Sequence, residues 1–284
     1  MNASATPTRA FEYPRVLSIA GSDSGGGAGI QADLKTIAAL GCFGMTAITA
    51  LTAQNTTGVR AIHAVPLQML ADQIDAVMED IGAHAVKIGM LHSADTVRTV
   101  AAAIDRHQMR NVVLDPVMIA TSGAVLIDQE AIAVLVSQLF PRAELVTPNL
   151  DEAALLVGSP LRNEAEMEAA ARRLIALGAH AVLVKGGHLA GDTVSDLLLT
   201  ADGDLRWMRA PRVPTANTHG TGCTLSSAIA SHLALGAPLP QAVQLAREYV
   251  RGALAAGAVV RTGSGSGPLN HSHAPQRMRL LPLH

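Results

Sequence analysis

The chain has 284 residues, 49% of them apolar and only 15% charged, with 21 basic against 23 acidic side chains and a net charge of −2. That much apolar sequence supplies a large core and excludes a disordered chain. The near-neutral balance, with only three Phe, two Tyr and one Trp, excludes the basic surface and stacking platform of a nucleic-acid binder.

Residues 1–14 read as a disordered or peripheral start. Val16 to Ala20 reads as a strand, followed by a glycine-rich turn and a helix from about Ala28 to Leu40. Met45 to Leu51 is the next strand candidate. Leu67, Leu70, Ile74, Val77 and Met78 then recur at helical spacing. Pro66 suits the first position of that helix and Gly82 its end. Further strands are expected at Ala85 to Ile88, Asn111 to Leu114, Glu144 to Val146 and Ala181 to Val184. Further helices are expected at Ala165 to Leu177 and Gln241 to Ala256. Gly263 to Pro268 reads as a flexible loop and residues 272–284 as a peripheral tail. Strand followed by helix, several times over, predicts an α/β fold, with a mainly parallel central sheet and helices on both faces. Ligands in such folds sit beyond the carboxyl ends of the strands. No linker divides the chain, so one domain is expected over residues 15–271.

Cys42 and Cys223 lie outside any CxxC spacing, so neither a disulfide framework nor a cysteine-ligated zinc site is expected. No apolar run approaches about 18 residues and no signal-like stretch opens the chain, which leads us to expect no membrane partner and a cytoplasmic location.

The glycines after the first strand do not form GxGxxG, and GxxxxGK[ST], HExxH, GxSxG and the HRD and DFG signatures are all missing. A different segment offers a phosphate site. In Thr218-His219-Gly220-Thr221-Gly222-Cys223-Thr224, two glycines beside a helix start let backbone N–H groups face an anion. On spacing alone a plain strand-to-helix turn explains the segment equally well. At such a helix start the Cys223 thiol is expected to titrate below about 8.5. Asn149-x-x-Glu152 before Ala153-Ala154-Leu155-Leu156 is close to a capping box. Asp115 ends its strand, just before Pro116.

Several blocks of the chain resemble the bacterial hydroxymethylpyrimidine/phosphomethylpyrimidine kinases, thiamine-biosynthesis enzymes of the ribokinase-like superfamily. Ala20-Gly21-Ser22-Asp23-Ser24-Gly25-Gly26-Gly27-Ala28-Gly29-Ile30-Gln31-Ala32-Asp33 carries the first. Thr49 to Thr56, Lys87-Ile88-Gly89-Met90-Leu91, Asp115-Pro116-Val117-Met118, Thr147 to Ala153 and Val184-Lys185-Gly186-Gly187-His188 follow in order. Thr218 to Ser227 and Gly267-Pro268-Leu269-Asn270-His271 complete the series. Ser24-Gly25 departs from the Pro-Ser common in the family. Cys223 stands where most of the superfamily has Asp, which favours the pyrimidine branch.

The resemblance implies a ribokinase-like kinase using ATP and Mg²⁺ on a small pyrimidine, and a homodimer. It implies that Gly21, Asp33, Gln54, Met90 and Val117 hold the pyrimidine, and that Asn149, Lys185 and Thr218 face ATP. Glu152 and Asp115 would face magnesium. Gly220, Thr221, Gly222 and Cys223 would form the catalytic turn, with Cys223 the candidate base. Plain structural roles stay open for Gln54, Asp33 and Lys185, and His188 and His219 fit loop packing or ligand contact equally. Rival readings are a pyridoxal kinase and a non-catalytic pyrimidine sensor. A fused thiamine-phosphate synthase is not expected, because the chain ends soon after the matching blocks. Strand material between Met45 and Val65 is expected to cover part of the pocket.

Overall fold

The computed structural model describes residues 10–118, 127 and 129–283. In chain order, its first half contains β1 (Phe11–Glu12), β2 (Arg15–Ala20), α1 (Gly29–Ala39), β3 (Phe43–Ile48), β4 (Ala50–Asn55), β5 (Gly58–Ala64), α2 (Leu67–Asp80), β6 (Ala85–Ile88), α3 (Ala94–Arg106) and β7 (Val112–Leu114). The second half contains α4 (Gln129–Leu139), β8 (Leu145–Val146), α5 (Leu150–Val157), α6 (Glu164–Ala176), β9 (Ala181–Val184), β10 (Thr193–Thr200), β11 (Leu205–Pro211), α7 (Thr221–Ala234), α8 (Leu239–Gly257) and β12 (Leu281–Pro282).

Eight strands form the central sheet in the order β11-β10-β9-β8-β7-β6-β2-β3. The run from β3 to β9 is parallel, and β10 and β11 add antiparallel at one edge. The middle strands are short and buried throughout, as in AVKI of β6 and AVLV of β9, because helices cover both faces. Alternation along each strand sorts the core into two layers. Leu17, Ile19, Val86, Ile88 and Leu114 point to the face packed by α2 to α6. Val16, Ala85, Val113, Leu183 and Leu198 point to the face packed by α1, α7 and α8. No helix among the described residues is long and apolar enough to cross a membrane.

Local differences from the sequence reading have physical causes. The candidate strand Met45 to Leu51 is two strands, because the chain leaves the sheet at Thr49. There its hydroxyl donates to the Met90 carbonyl at 2.8 Å and its N–H to the Ala20 carbonyl at 3.0 Å. β4 and β5 then form a separate antiparallel hairpin. Pro66 caps α2 in extended conformation, one position before the helix proper, and its carbonyl accepts from Leu70. Gly82 follows the helix with φ +72°, the left-handed turn that glycine adopts without strain. The glycines of Gly263 to Pro268 allow close packing where flexibility was expected. A Cβ at Gly265 would collide with the Thr56 carbonyl and one at Gly267 with the Asn217 amide.

Of the N-terminal segment, residues 1–9 lie outside the described residues, as does His284. The ends that are described run over the surface and meet: β12 pairs with β1. The Gln276 N–H bonds the Ala39 carbonyl at 2.7 Å, just behind α1.

Candidate active site

Beyond the carboxyl ends of β2, β6, β7, β8 and β9 lies a cavity of about 550 Å³, within the usual range for small-molecule sites. Residues just past these strand ends line it: Gly21, Met90, Asp115, Asn149 and Lys185. The hairpin contributes Thr52, Gln54 and Val59 as one wall, and the start of α7 contributes Gly220 to Cys223. Of the residues expected at the site, Gly21, Gln54, Met90, Val117, Asn149, Lys185, Thr218, Glu152 and Asp115 all line this one cavity with the turn. Asp33 alone does not.

The α7 start is built by backbone. Gly220 occupies the cap position at φ +82° and gives no side-chain cap. A Cβ there would collide with the Gly27 carbonyl, so only glycine fits. The Thr221 N–H is taken by the Thr218 carbonyl and that of Thr224 by the Gly220 carbonyl. Among the described residues, nothing claims the N–H groups of Gly222 and Cys223 between them. Open N–H groups at the positive end of a helix dipole bind anions.

The turn is locked against the glycine-rich loop after β2. Asp23, almost fully buried, accepts the Gly25 N–H at 2.8 Å on one oxygen. On the other it takes the N–H groups of Gly27 at 3.1 Å and Ala28 at 2.9 Å, and pairs with His219 Nε2 at 2.8 Å. Burial alone would raise this carboxyl, but His219 and the loop N–H groups outweigh it and hold Asp23 below the ordinary value. His219, ambiguous in sequence, is thus the buckle between two loops.

Opposite the turn stands a charged wall. Lys185 Nζ lies 2.7 Å from Asp115 Oδ1 and 3.8 Å from Glu152 Oε2. Thr147 adds a hydroxyl to Asp115 at 3.1 Å. Burial would push Asp115 up, but the Lys185 and Lys87 ammonium groups keep it below the usual carboxylate value. Glu152 goes the other way: burial, only partly offset by Lys185 and reinforced by Asp115, pushes it up to about 7. Asn149 and Glu152 form a complete capping box on α5. Asn149 accepts the Glu152 N–H at 2.9 Å, and the Glu152 carboxylate accepts the Asn149 N–H at 2.7 Å.

Two expectations are corrected. Asp33 does not reach the cavity: its carboxylate is fully buried beneath the floor and spent on Ser18 at 2.6 Å, Ser227 at 2.7 Å and Lys87 at 2.8 Å. The Cys223 thiol is not lowered. Burial pushes it up to about 11; Lys87 pulls it down, but Asp33 and Asp115 push it up again, and the Gly29 N–H does not reverse this. The helix start was visible in sequence, and so were Asp33 and Asp115 as residues, but not their placement near the thiol.

The sequence reading assigned no role to Lys87, Asp23, Arg212 or Arg247. A lysine inside the otherwise apolar strand AVKI was the available signal for Lys87. Arg212 ties the 187–191 loop at the cavity rim through the carbonyls of Gly187, Leu189 and Gly191. Arg247 pairs with Asp196 at 2.7 Å, and Asp196 in turn accepts the Gly186 N–H at 2.8 Å.

Comparison with known proteins places this architecture. A family profile described as phosphomethylpyrimidine kinase matches residues 23–270. The chain is 52% identical, over 95% of its length, to the thiamine biosynthesis bifunctional protein ThiED of Geobacter sulfurreducens, of which it spans 55%. It is 51% identical to the hydroxymethylpyrimidine/phosphomethylpyrimidine kinase of Rhizobium meliloti, covering 90% of this chain and 96% of that one. Among solved structures, phosphomethylpyrimidine kinase from Clostridium difficile superposes with a TM-score of 0.75 at 42% identity, covering 84% of this chain and 99% of that one. Bacillus subtilis pyridoxal kinase in an ADP complex gives 0.83 at 35%, covering 91% and 97%. The matched span takes in both walls of the cavity and the turn between them: the chain is a kinase of ribokinase-like fold and belongs to the phosphomethylpyrimidine kinase family.

Proposed function

We propose that the protein transfers the γ-phosphoryl group of ATP to the hydroxymethyl arm of 4-amino-5-hydroxymethyl-2-methylpyrimidine, and then to the resulting monophosphate, in thiamine diphosphate synthesis. The observation that carries this reading is the pair of unclaimed N–H groups at Gly222 and Cys223, opening on the same cavity as Gln54, Met90 and Val117. Gln54 offers an amide donor and acceptor to an aminopyrimidine edge. Met90 enters the pocket because Gly21 has no side chain: a Cβ there would lie 2.6 Å from the Met90 methyl.

In the first step the acceptor oxygen bonds to the γ-phosphorus as the bond to the bridging oxygen of ADP breaks. Cys223 is a neutral thiol at rest, so the hydroxyl proton passes to the transferred phosphoryl group. In the second step the acceptor is a phosphate oxygen that is already anionic. Positioning and charge stabilisation dominate such loose transfers, and the Gly222 and Cys223 N–H groups supply them. Asn149, Lys185 and Thr218 face the nucleotide.

Asp115 and Glu152 suit a magnesium ion that arrives with the nucleotide. Mg²⁺ favours one or two carboxylates together with phosphate oxygens and retained waters, and no cluster of three or more His, Cys, Asp or Glu suited to a resident metal exists among the described residues. Bound there, the ion would neutralise phosphate charge, while Lys185 turns from the carboxylates to the phosphates. We also propose cytoplasmic action as a homodimer, with the half-exposed Leu51 and Ile62 of the hairpin as apolar surface for the second copy.

The test incubates protein and MgATP with the hydroxymethylpyrimidine, its monophosphate or pyridoxal, with products read by mass spectrometry. Mono- and then diphosphate is the expected result. Pyridoxal phosphate alone would move the activity to the vitamer, as the resemblance to pyridoxal kinase allows. Saturable pyrimidine binding without any product would make the protein a sensor.

A further inference from the structure

Lys87 is among the largest completely buried side chains of the described residues, and the reaction proposed for the cavity leaves it without a task. Its ammonium lies 2.8 Å from Asp33 Oδ2, and both side chains are fully excluded from solvent. The same carboxylate takes the hydroxyls of Ser18 from β2 and Ser227 from α7. Asp33 sits one turn after Gly29 on α1, and Ser227 one turn after Cys223 on α7. The Gly29 N–H works to lower the Cys223 thiol, which places the start of α1 beside the start of α7. This knot therefore joins α1, α7, β2 and β6 directly behind the thiol and the open N–H groups.

Gly89 lets the lysine fold up to the end of its strand. A Cβ at Gly89 would lie 2.8 Å from Lys87 Nζ and 2.9 Å from the Ala20 Cβ. The ammonium thus backs the cavity wall alongside Cys223 and Asp115. Burial works to strip its proton, but Asp33 and Asp115 hold the lysine above its ordinary value, so it stays charged. A buried ion pair is poor value for stability, since apolar side chains of similar volume do as well or better. A fixed charge facing the place where negative charge builds up is worth far more to a reaction, because nothing must reorganise.

We propose that Lys87, clamped by Asp33, is a positioning residue of phosphoryl transfer: it fixes the Cys223 turn and presents a permanent positive charge to the acceptor oxygen through the cavity wall. Both phosphorylations use it, since both place negative charge at the same point. The inference rests on the anion site at the Gly222 and Cys223 N–H groups proposed above, with the acceptor oxygen beside it. Wild-type turnover tests that position, and the variants are compared on whichever acceptor the wild type phosphorylates.

Lys87→Met alone strands the Asp33 charge, so the decisive protein is the double variant Lys87→Met with Asp33→Asn. It removes both charges, and Asn still accepts from one serine. The expected result is a cooperative thermal transition close to wild type, with kcat reduced on the order of a hundredfold for both steps and KM for MgATP within about threefold. Ser227→Ala keeps both charges and loosens the knot; it is expected to lower kcat by about threefold with KM unchanged. Wild-type kcat in the double variant would overturn the proposal. So would kcat losses in both proteins that merely follow the fraction unfolded, since that is what a structural pair would give.

Discussion

Two helices begin at the walls of one cavity, and they begin in opposite ways. α5 satisfies its own first turn: Asn149 and Glu152 close a reciprocal capping box, and neither side chain is free of the helix it starts. α7 has no side-chain cap and a left-handed glycine in the cap position, and it leaves N–H groups for a ligand. The first start is satisfied by its own residues and presents a carboxylate to the cavity. The second is locally unsatisfied and is held in place from outside, by the Asp23–His219 buckle and the Asp33 knot. The lesson is that an anion site is a helix start whose capping has been moved to the tertiary structure.

Substitutions at the two starts sharpen this contrast. Gly222→Val adds bulk where even a Cβ would lie 3.3 Å from Lys185 Nζ and 3.4 Å from Asp115 Oδ2. It is expected to abolish nearly all turnover, about a thousandfold or more, in single-turnover assays of folded protein. Cys223→Ala leaves the N–H groups in place and removes a thiol that takes no proton, so it is expected to cost only about tenfold, equally in both steps. A loss confined to the hydroxyl step would show that the sulfur takes the proton. The thiol itself is expected to alkylate slowly at pH 7 and to accelerate toward pH 11, following its raised value. Reaction already complete at neutral pH would place a thiolate there.

At the other helix the effects expected without nucleotide are smaller and fall on stability. Asn149→Ala removes one arm of the box and is expected to cost about 1 kcal/mol, read by denaturant unfolding. Glu152→Gln keeps an acceptor for the Asn149 N–H. The folded value of Glu152, about 7, lies above its ordinary 4.5, so ionisation is costlier in the folded protein. That penalty is absent below pH 4.5 and complete above about 7. The variant is therefore expected to match wild type in melting at pH 4 and to exceed it at pH 8, without nucleotide. Equal melting at both would show that Glu152 is not penalised.

Much of this was readable along the chain wherever the cause is local. The buried strands AVKI and AVLV, the glycine turn before α7 and the Asn149–Glu152 spacing each carry their reason within a few residues. The antiparallel strands β10 and β11 were not marked, nor were α3 and α4. β11 is a half-exposed edge strand with a weak alternation, whereas the buried Leu197 to Leu199 of β10 and the helical spacing of Val97, Val100 and Ile104 in α3 carry a signal as clear as that of the elements expected.

Sequence alone determined the layer architecture, the place of the cavity and the chemistry of its rim, because alternation, glycine and capping act between near neighbours. Tertiary structure alone decided the electrostatics. Asp33 meets Lys87 across 54 positions and Ser227 across 194. Whether a carboxylate touches a substrate or anchors a lysine, and whether a thiol at a helix start is acidic or inert, depends on charges that only folding brings within a few ångströms. Their effect is set by burial, which no local pattern specifies.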